Sequence, residues 1–276
     1  MNMICRHYQK GQTLDVAGLN EITVLIDRSE TQRTEVGWNR WRKGLEGPPH
    51  SHDAKEQVFY VTDGLGTVVV GEARYAVRPG SLIYVPPGTT HQTIVTGAET
   101  LSYLLFNAFL DAGKEGHASF ADHIDKVKQV RRHQAQVQQA AVAGAESRGN
   151  SAGFGRCIDN INPASVPNND STEPTRLLER SETRRCQVSL VTCSREGKPL
   201  RPDRSDQEQT WFVLSGRGRV TVADDTAEVS AGDVVFVPVN APYTMAANDA
   251  HVNYLCFNTL VTEVFDSRKT PTNSLL

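Results

Sequence analysis

Residues Leu25–Val36 read LIDRSETQRTEV, and residues Leu177–Val188 read LLERSETRRCQV. The shift of 152 residues that relates the two phrases holds well beyond them. It carries Glu56-Gln57 onto Glu208-Gln209, Gly64 and Gly66 onto Gly216 and Gly218, Gly80 onto Gly232, and Val85-Pro86 onto Val237-Pro238. No gap is needed from Leu25 to His91, and roughly a quarter of the positions are identical, which marks a duplicated unit. The copies run from about Leu19 to Ala108 and from about Thr175 to Thr259.

Each copy reads as β. EQVFYV, GTVVVG, SLIYVP and LSYLLF are answered in the same order by EQTWFVL, GRVTVA, DVVFVP and VNYLCF. Short runs of β-branched and aromatic residues, punctuated by Gly, Pro, Asp and Thr, are the pattern of a small antiparallel barrel. The expected fold is therefore all-β: two tandem jelly-roll barrels, each protecting its edges and able to enclose a pocket. Between them, SFADHIDKVKQVRRHQAQVQQAAVAG has apolar residues near helical spacing, with Ser119 and Asp122 resembling a capping box and Gly144 as a stop. Its basic cluster reads as a solvated helix face. The stretch 146–174, rich in Asn, Pro, Ser and Gly, reads as linker. The expected division is a barrel over 1–110, helix and linker over 111–155, and a second barrel over 156–276.

The 276-residue chain is long enough for two domains, and 38% hydrophobic residues allow modest cores. A formal charge of −3 gives no electrostatic case for nucleic acid, and no apolar run is long enough to span a bilayer. The five cysteines are scattered and odd in number, and the start MNMICRHYQKGQ has no apolar leader core. A cytoplasmic protein is expected.

The first copy carries GLEGPPHSHDAKEQVFYVTDGLG from Gly44 and GSLIYVPPGTTHQTIV from Gly80. In extended backbone His50 and His52 face one side. The Pro-Pro-Gly turn places His91 at the start of a strand. Three imidazoles and one oxygen donor on adjacent strands would make a mononuclear metal site with open positions. The oxygen donor is either Gln57 or Glu56, because neighbours on a strand face opposite ways. The pleat favours Gln57, which shares a face with Phe59 and Val61; a bulge would reverse the choice.

These motifs resemble those of the cupin superfamily, and the duplication resembles a bicupin. Gly44, His50, His52 and Gly64 match its first motif; Gly80, Pro86, Gly88 and His91 match its second. Val95 stands where that second motif ends in Asn, a position that is not a ligand in the family. Counting within the first motif selects Glu56 from one end and Gln57 from the other. A similar H-x-H-x4-Q arrangement occurs in a small cupin of pectin breakdown, where the amide oxygen is a ligand. The resemblance implies one divalent transition metal (iron, manganese, nickel or zinc), held by His50, His52, His91 and Gln57, with Glu56 as the alternative. It also implies a small polar metabolite such as a sugar acid or carboxylate, and a lyase, isomerase or dioxygenase. A non-catalytic small-molecule-binding or structural bicupin is the alternative. The chain is expected to be a monomer mimicking a cupin dimer, or a homodimer.

In the second copy, Pro202, Arg204 and Tyr243 stand where the first has His50, His52 and His91. That barrel is expected to be either a scaffold or a metal-free pocket using Arg201, Arg204 and Tyr243 to bind a carboxylate. The repeated RSET therefore cannot serve only a metal. An Arg28–Glu30 type of pairing or an interface between the copies is expected. Trp38, Arg40, Trp41 and Arg42 read either as a substrate wall or as barrel packing with solvated charges. Phe59, Tyr84 and Phe106 read as barrel filling, and His7, His117, His123, His133 and His251 as structural or solvent-facing.

Overall fold

The computed structural model describes residues 2–140, 155–161, 174–194 and 206–262. The first half supplies β1 (Ile4–His7), β2 (Gln12–Val16), β3 (Asn20–Ile26), β4 (Thr34–Trp41), β5 (Lys55–Asp63), β6 (Gly66–Val70), β7 (Ala73–Val77), β8 (Leu82–Val85), β9 (His91–Val95) and β10 (Leu101–Phe109). Helix α1 spans Phe120–Ala140. The second half supplies β11 (Arg156–Ile158), β12 (Thr175–Leu178), β13 (Cys186–Ser194), β14 (Gln207–Ser215), β15 (Arg217–Val222), β16 (Asp225–Ser230), β17 (Asp233–Val237), β18 (Tyr243–Ala247) and β19 (His251–Leu260).

Each half pairs a large sheet with a three-stranded one. The first barrel has the order β11-β8-β5-β10-β4-β3-β2 beside β7-β6-β9, and the second has β1-β17-β14-β19-β13-β12 beside β16-β15-β18. The repeated glycines close equivalent turns. Gly64 and Gly216 have φ of 82° and 83°, and a Cβ on either would lie 2.0 Å from a carbonyl oxygen, so only glycine fits.

The period of two along the strands sorts the apolar residues into three cores. Phe59, Val61, Val68, Val77 and Leu105 fill the first barrel. Trp211, Val213, Val220, Val235 and Tyr254 fill the second. Val58, Tyr60, Tyr84, Leu104 and Phe106 face outward and meet Val188, Phe212, Phe236, Leu255 and Phe257. Fully burying each such side chain stabilises by about 1.5–3 kcal/mol, so the halves are joined through a core of their own. Phe106 stacks on Phe257 with ring centroids 4.8 Å apart. Tyr84 and Phe106 thus lie between the barrels instead of filling one. Both oppose Val58 across the sheet, on the face that alternation turns outward.

The halves exchange strands. β1 pairs with β17 of the second barrel, Ile4 opposite Phe236, and β11 pairs with β8 of the first, Arg156 opposite Tyr84. The two pairings coincide under the 152-residue shift, so the repeat reaches upstream of Leu19 to the first strand. Divisions at 110 and 156 are crossed by these strands, and the stretch read as linker contains β11. A three-residue strand set among Asn and Pro carries no alternation from which to read it.

Ser119 Oγ accepts from the Asp122 amide at 3.1 Å, and Asp122 answers by accepting from Ala118 N. Phe120 and Ile124 of α1 are buried in the first barrel's core. Gly37 leaves them room: a Cβ there would lie 2.8 Å from Ile22 and 3.4 Å from Phe120. Gly144 lies outside the described residues.

The repeated phrase and the repeated Glu-Gln pair meet across the interface. Glu56, with no exposed surface, accepts from the backbone N–H groups of Arg184 (2.6 Å), Arg185 (2.7 Å) and Cys186 (3.0 Å), and from the Tyr84 hydroxyl (2.6 Å). Burial and the Glu56 charge hold that hydroxyl protonated far above the ordinary tyrosine range. Reciprocally, Glu208 accepts from Gln32 N (2.6 Å), Arg33 N (2.9 Å) and Thr34 Oγ1 (2.8 Å). Within RSET, Thr31 and Thr183 brace the turns that present these groups, through Thr34 O and Cys186 O. Glu30 pairs with Arg6 of β1 at 2.6 Å, and Glu182 pairs with Arg156 of β11. Arg28 pairs with Glu35, not Glu30. RSET is an interface element that also holds the exchanged strands.

Glu56→Ala leaves buried backbone donors unpaired, each costing about 1–3 kcal/mol. Urea unfolding should show a loss of about 3 kcal/mol or more for Glu56→Ala, and a comparable loss for Glu208→Ala. A loss below about 1 kcal/mol in both would contradict the role assigned to these carboxylates.

Candidate functional site

The segment before β5 runs antiparallel to β9. Gly47 N donates to Thr93 O at 2.8 Å, His50 N to His91 O at 3.1 Å, and His91 N back to His50 O at 2.8 Å. This pairing sets His50 opposite His91, and His52 follows on the same side. The ring centroids lie 4.3 Å (His50–His91), 5.1 Å (His50–His52) and 5.6 Å (His52–His91) apart. One ring nitrogen from each lies within 4.8 Å of the others.

Each ring is oriented by an oxygen at Nδ1. His50 meets Pro48 O at 3.0 Å, His91 meets Thr89 O at 3.3 Å, and His52 meets Glu115 Oε1 at 3.2 Å. An Nδ1–H donating to each oxygen leaves all three Nε2 lone pairs available, the tautomer that a metal-binding imidazole needs. Burial, with its imidazole neighbours, pushes the His91 pKa well below the ordinary value. Burial and the Lys55 charge lower that of His52 to about 3. Both are neutral at physiological pH.

The orientation of Gln57 follows from its neighbours. Arg28 donates to Glu35 at 2.5 Å, and the other Glu35 oxygen accepts from Asn107 Nδ2 at 2.7 Å. A carboxylate only accepts, so Asn107 turns Oδ1 toward Gln57 Nε2, at 3.0 Å. That leaves Gln57 Oε1 buried, lining the histidine cavity, with no partner among the described residues. Glu56 points the other way and is fully engaged at the interface. An orphaned acceptor beside three neutral, convergent imidazoles fits a divalent cation.

The cavity is about 460 Å³ and also admits Lys55, Trp41, His117 and His123. Lys55 is 2% exposed and donates to Glu115 Oε2 at 2.9 Å, while the other Glu115 oxygen holds His52. Burial alone would raise the Glu115 pKa; the His52 hydrogen bond and the Lys55 charge outweigh it and hold the group well below the carboxylate range. The His123 ring lies 6.2 Å from that of His52, and burial with the Lys55 charge pushes its pKa down to about 2. His117 and His123, read from sequence as structural or solvent-facing, thus line the cavity. They sit on and just before α1, outside the repeats, where no motif marks them. Lys55 beside Glu56-Gln57 was the one readable signal: on an inward-facing position a lysine needs a partner. Of the tryptophan-arginine stretch, Trp41 lines the cavity. Trp38 donates to Thr62 Oγ1, and Arg40 and Arg42 make exposed ion pairs with Glu21 and Asp15.

In the second barrel the equivalent amide is engaged by protein groups. Gln209 Oε1 accepts from Trp211 Nε1 at 3.0 Å, and Gln209 Nε2 meets the Tyr243 hydroxyl at 3.3 Å. Trp211 stands where the first barrel has Phe59, which has no N–H to offer. Tyr243 is thus turned inward onto Gln209 and Trp211, with ring centroids 4.9 Å apart in the latter case. Arg201 and Arg204 lie outside the described residues.

The sequence profile of the cupin domain matches the chain twice, at residues 40–107 and 195–257. A 43-residue stretch is 33% identical to the uncharacterized protein MJ1618 of Methanocaldococcus jannaschii, covering 16% of this chain and 34% of that one. The chain thus matches about a third of that relative's length. Among solved structures, YlbA from E. coli superposes with a TM-score of 0.65 at 12% identity, over 95% of this chain and 93% of its own. Procruciferin, the 11S globulin of Brassica napus, gives 0.63 at 12% identity, over 94% and 85%. A variant oxalate decarboxylase of Bacillus subtilis gives 0.61 at 15% identity, over 93% and 77%. At these identities the likeness is one of fold, and a fold shared by a decarboxylase and a globulin does not choose between their roles. No helix among the described residues is long and apolar enough to cross a membrane.

Trp211→Phe leaves Gln209 Oε1 with only the weak Cys256 thiol contact at 3.7 Å and should cost about 1–3 kcal/mol in urea unfolding. Tyr243→Phe should cost less, because its 3.3 Å contact is longer than the 3.0 Å bond from the indole. A neutral Trp211→Phe would contradict the engaged amide of the second barrel.

Proposed function

Because the chain is a bicupin, carrying two cupin domains, we propose that its first barrel is a mononuclear metal centre with a catalytic role and its second a scaffold. His50, His52 and His91 would hold the ion through Nε2, and Gln57 through Oε1. The observation that carries this is the pairing of three convergent, oriented imidazoles with a buried amide oxygen that has no partner among the described residues. Iron, manganese, nickel and zinc all accept imidazole. Four neutral ligands would leave the full double charge to attract an anionic or enolic oxygen, and the bound ion would supply Lewis-acid polarisation there.

The other cavity residues support catalysis over mere binding. Lys55 and Glu115 form a buried ion pair against His52, and His123 presents a neutral imidazole nearby. Lys55 Nζ can donate to a developing oxyanion, and the neutral His123 ring can hydrogen-bond to bound substrate. Trp41, Phe59 and Leu105 exclude water from the same space. A lyase, isomerase or dioxygenase acting on a small metabolite can use such a set; a binder has no need of an ammonium group beside the metal. We expect the chain to work in the cytoplasm, as a monomer whose halves replace the two subunits of a dimer.

Metal analysis tests the reading. Wild type should carry one equivalent of a divalent transition metal. His50→Ala and His91→Ala should lose it with circular dichroism unchanged. Gln57→Ala should weaken affinity at least ~10-fold, since loss of even an outer-sphere partner does that much. Metal retained in both histidine variants, or released by Glu56→Ala alone, would overturn it. Glu115→Gln should lower affinity about 10–100-fold in chelator competition by loosening His52.

A further inference from the structure

We propose that the substrate is a small amphiphile: a chelating oxygen head on an apolar body the size of one aromatic ring, rather than a sugar acid. This rests on the metal centre proposed above. The cavity has two unlike ends. His50, His52, His91 and Gln57 form one; Val16, Ile22, Trp41, Phe120, Ile124 and Val127 line the rest.

Charge inside the cavity is already compensated. Glu35 is held by Arg28 and Asn107, and Lys55 by Glu115. The remaining charged residue of the lining, Lys126, is exposed. Several polar groups of the wall are tied to one another. Asn20 donates to Asn39, and the Tyr103 hydroxyl accepts from Asn39 (3.0 Å) and Trp41 Nε1 (2.8 Å) and meets Thr93 Oγ1 at 3.2 Å. A polyol would bury a hydroxyl on every carbon against this wall with few partners to meet it, at a cost for each. Away from the metal end, three wall atoms are buried without a hydrogen-bond partner among the described residues: Asn20 Oδ1, His117 Nδ1 and His123 Nδ1. That suits a few polar contacts on the body, fewer than the hydroxyl on every carbon that a polyol brings.

Helix α1 decides the shape of the apolar end. Phe120, Ile124 and Val127 come from it, and it belongs to neither cupin repeat. Selectivity for the body of the substrate is therefore shared between the insertion and Val16, Ile22 and Trp41 of the barrel, which alone grips the head.

Titration calorimetry on the metal-loaded full chain, with pyruvate, phenylpyruvate and galacturonate as probes, tests this. Phenylpyruvate should bind about tenfold or more tighter than pyruvate, the gain expected for burying the ring, and galacturonate should bind most weakly. Val127→Ala should reduce the preference for phenylpyruvate over pyruvate with metal content unchanged; Val127→Ile should keep it. Full metal content with equal binding of the two oxo acids, or with galacturonate tightest, would overturn the amphiphile. Protein that takes up no metal would instead sink the centre, and this proposal with it.

Discussion

The structure depends on a carboxylate pressed against the backbone of the opposite half. Glu56 gathers the N–H groups of Arg184, Arg185 and Cys186, and Glu208 does the same with Gln32 and Arg33. Buried carboxylates persist only where donors surround them, so each fixes the register of its own strand against the other half. Once Glu56 points outward, the pleat leaves Gln57, Phe59 and Val61 no choice but to point inward. The interface thereby sets which residue faces the histidines.

The two barrels share this frame and differ in what they do with the inward face. In the first, Phe59 offers no hydrogen bond and the amide oxygen of Gln57 stays open. In the second, Trp211 and Tyr243 engage both ends of Gln209. An indole in place of Phe59 and a tyrosine in place of His91 separate an engaged amide from an open one. The interface accounts for Glu208 and the second RSET where the histidines are absent, and Gln209 is held by Trp211 and Tyr243 within its own barrel.

Much of this was legible before any coordinates. The duplication, the all-β barrels and the convergence of His50, His52 and His91 follow from local spacing and a fixed register. So does the inward face of Gln57, because alternation is a property of one strand. What escaped depends on distant contacts. β1 and β11 exchange through strands too short to show a period, and Tyr84 and Phe106 read as filling because periodicity gives a face but not what covers it. Lys55 comes to the cavity from the start of β5, His117 from the segment before α1 and His123 from α1 itself, while Glu115 braces Lys55 and His52 from behind. No repeat or motif ties them together, and only the packing of the helix does.

The central claim is that the carboxylate belongs to the interface and the amide to the site. Anomalous diffraction from crystals of the metal-loaded protein tests it most directly. The account predicts one peak in the first barrel, bounded by His50, His52, His91 and the Gln57 oxygen, with Glu56 still on the backbone of residues 184–186. A peak bonded to a Glu56 carboxylate turned inward, or one beside Gln209 and Tyr243, would contradict it.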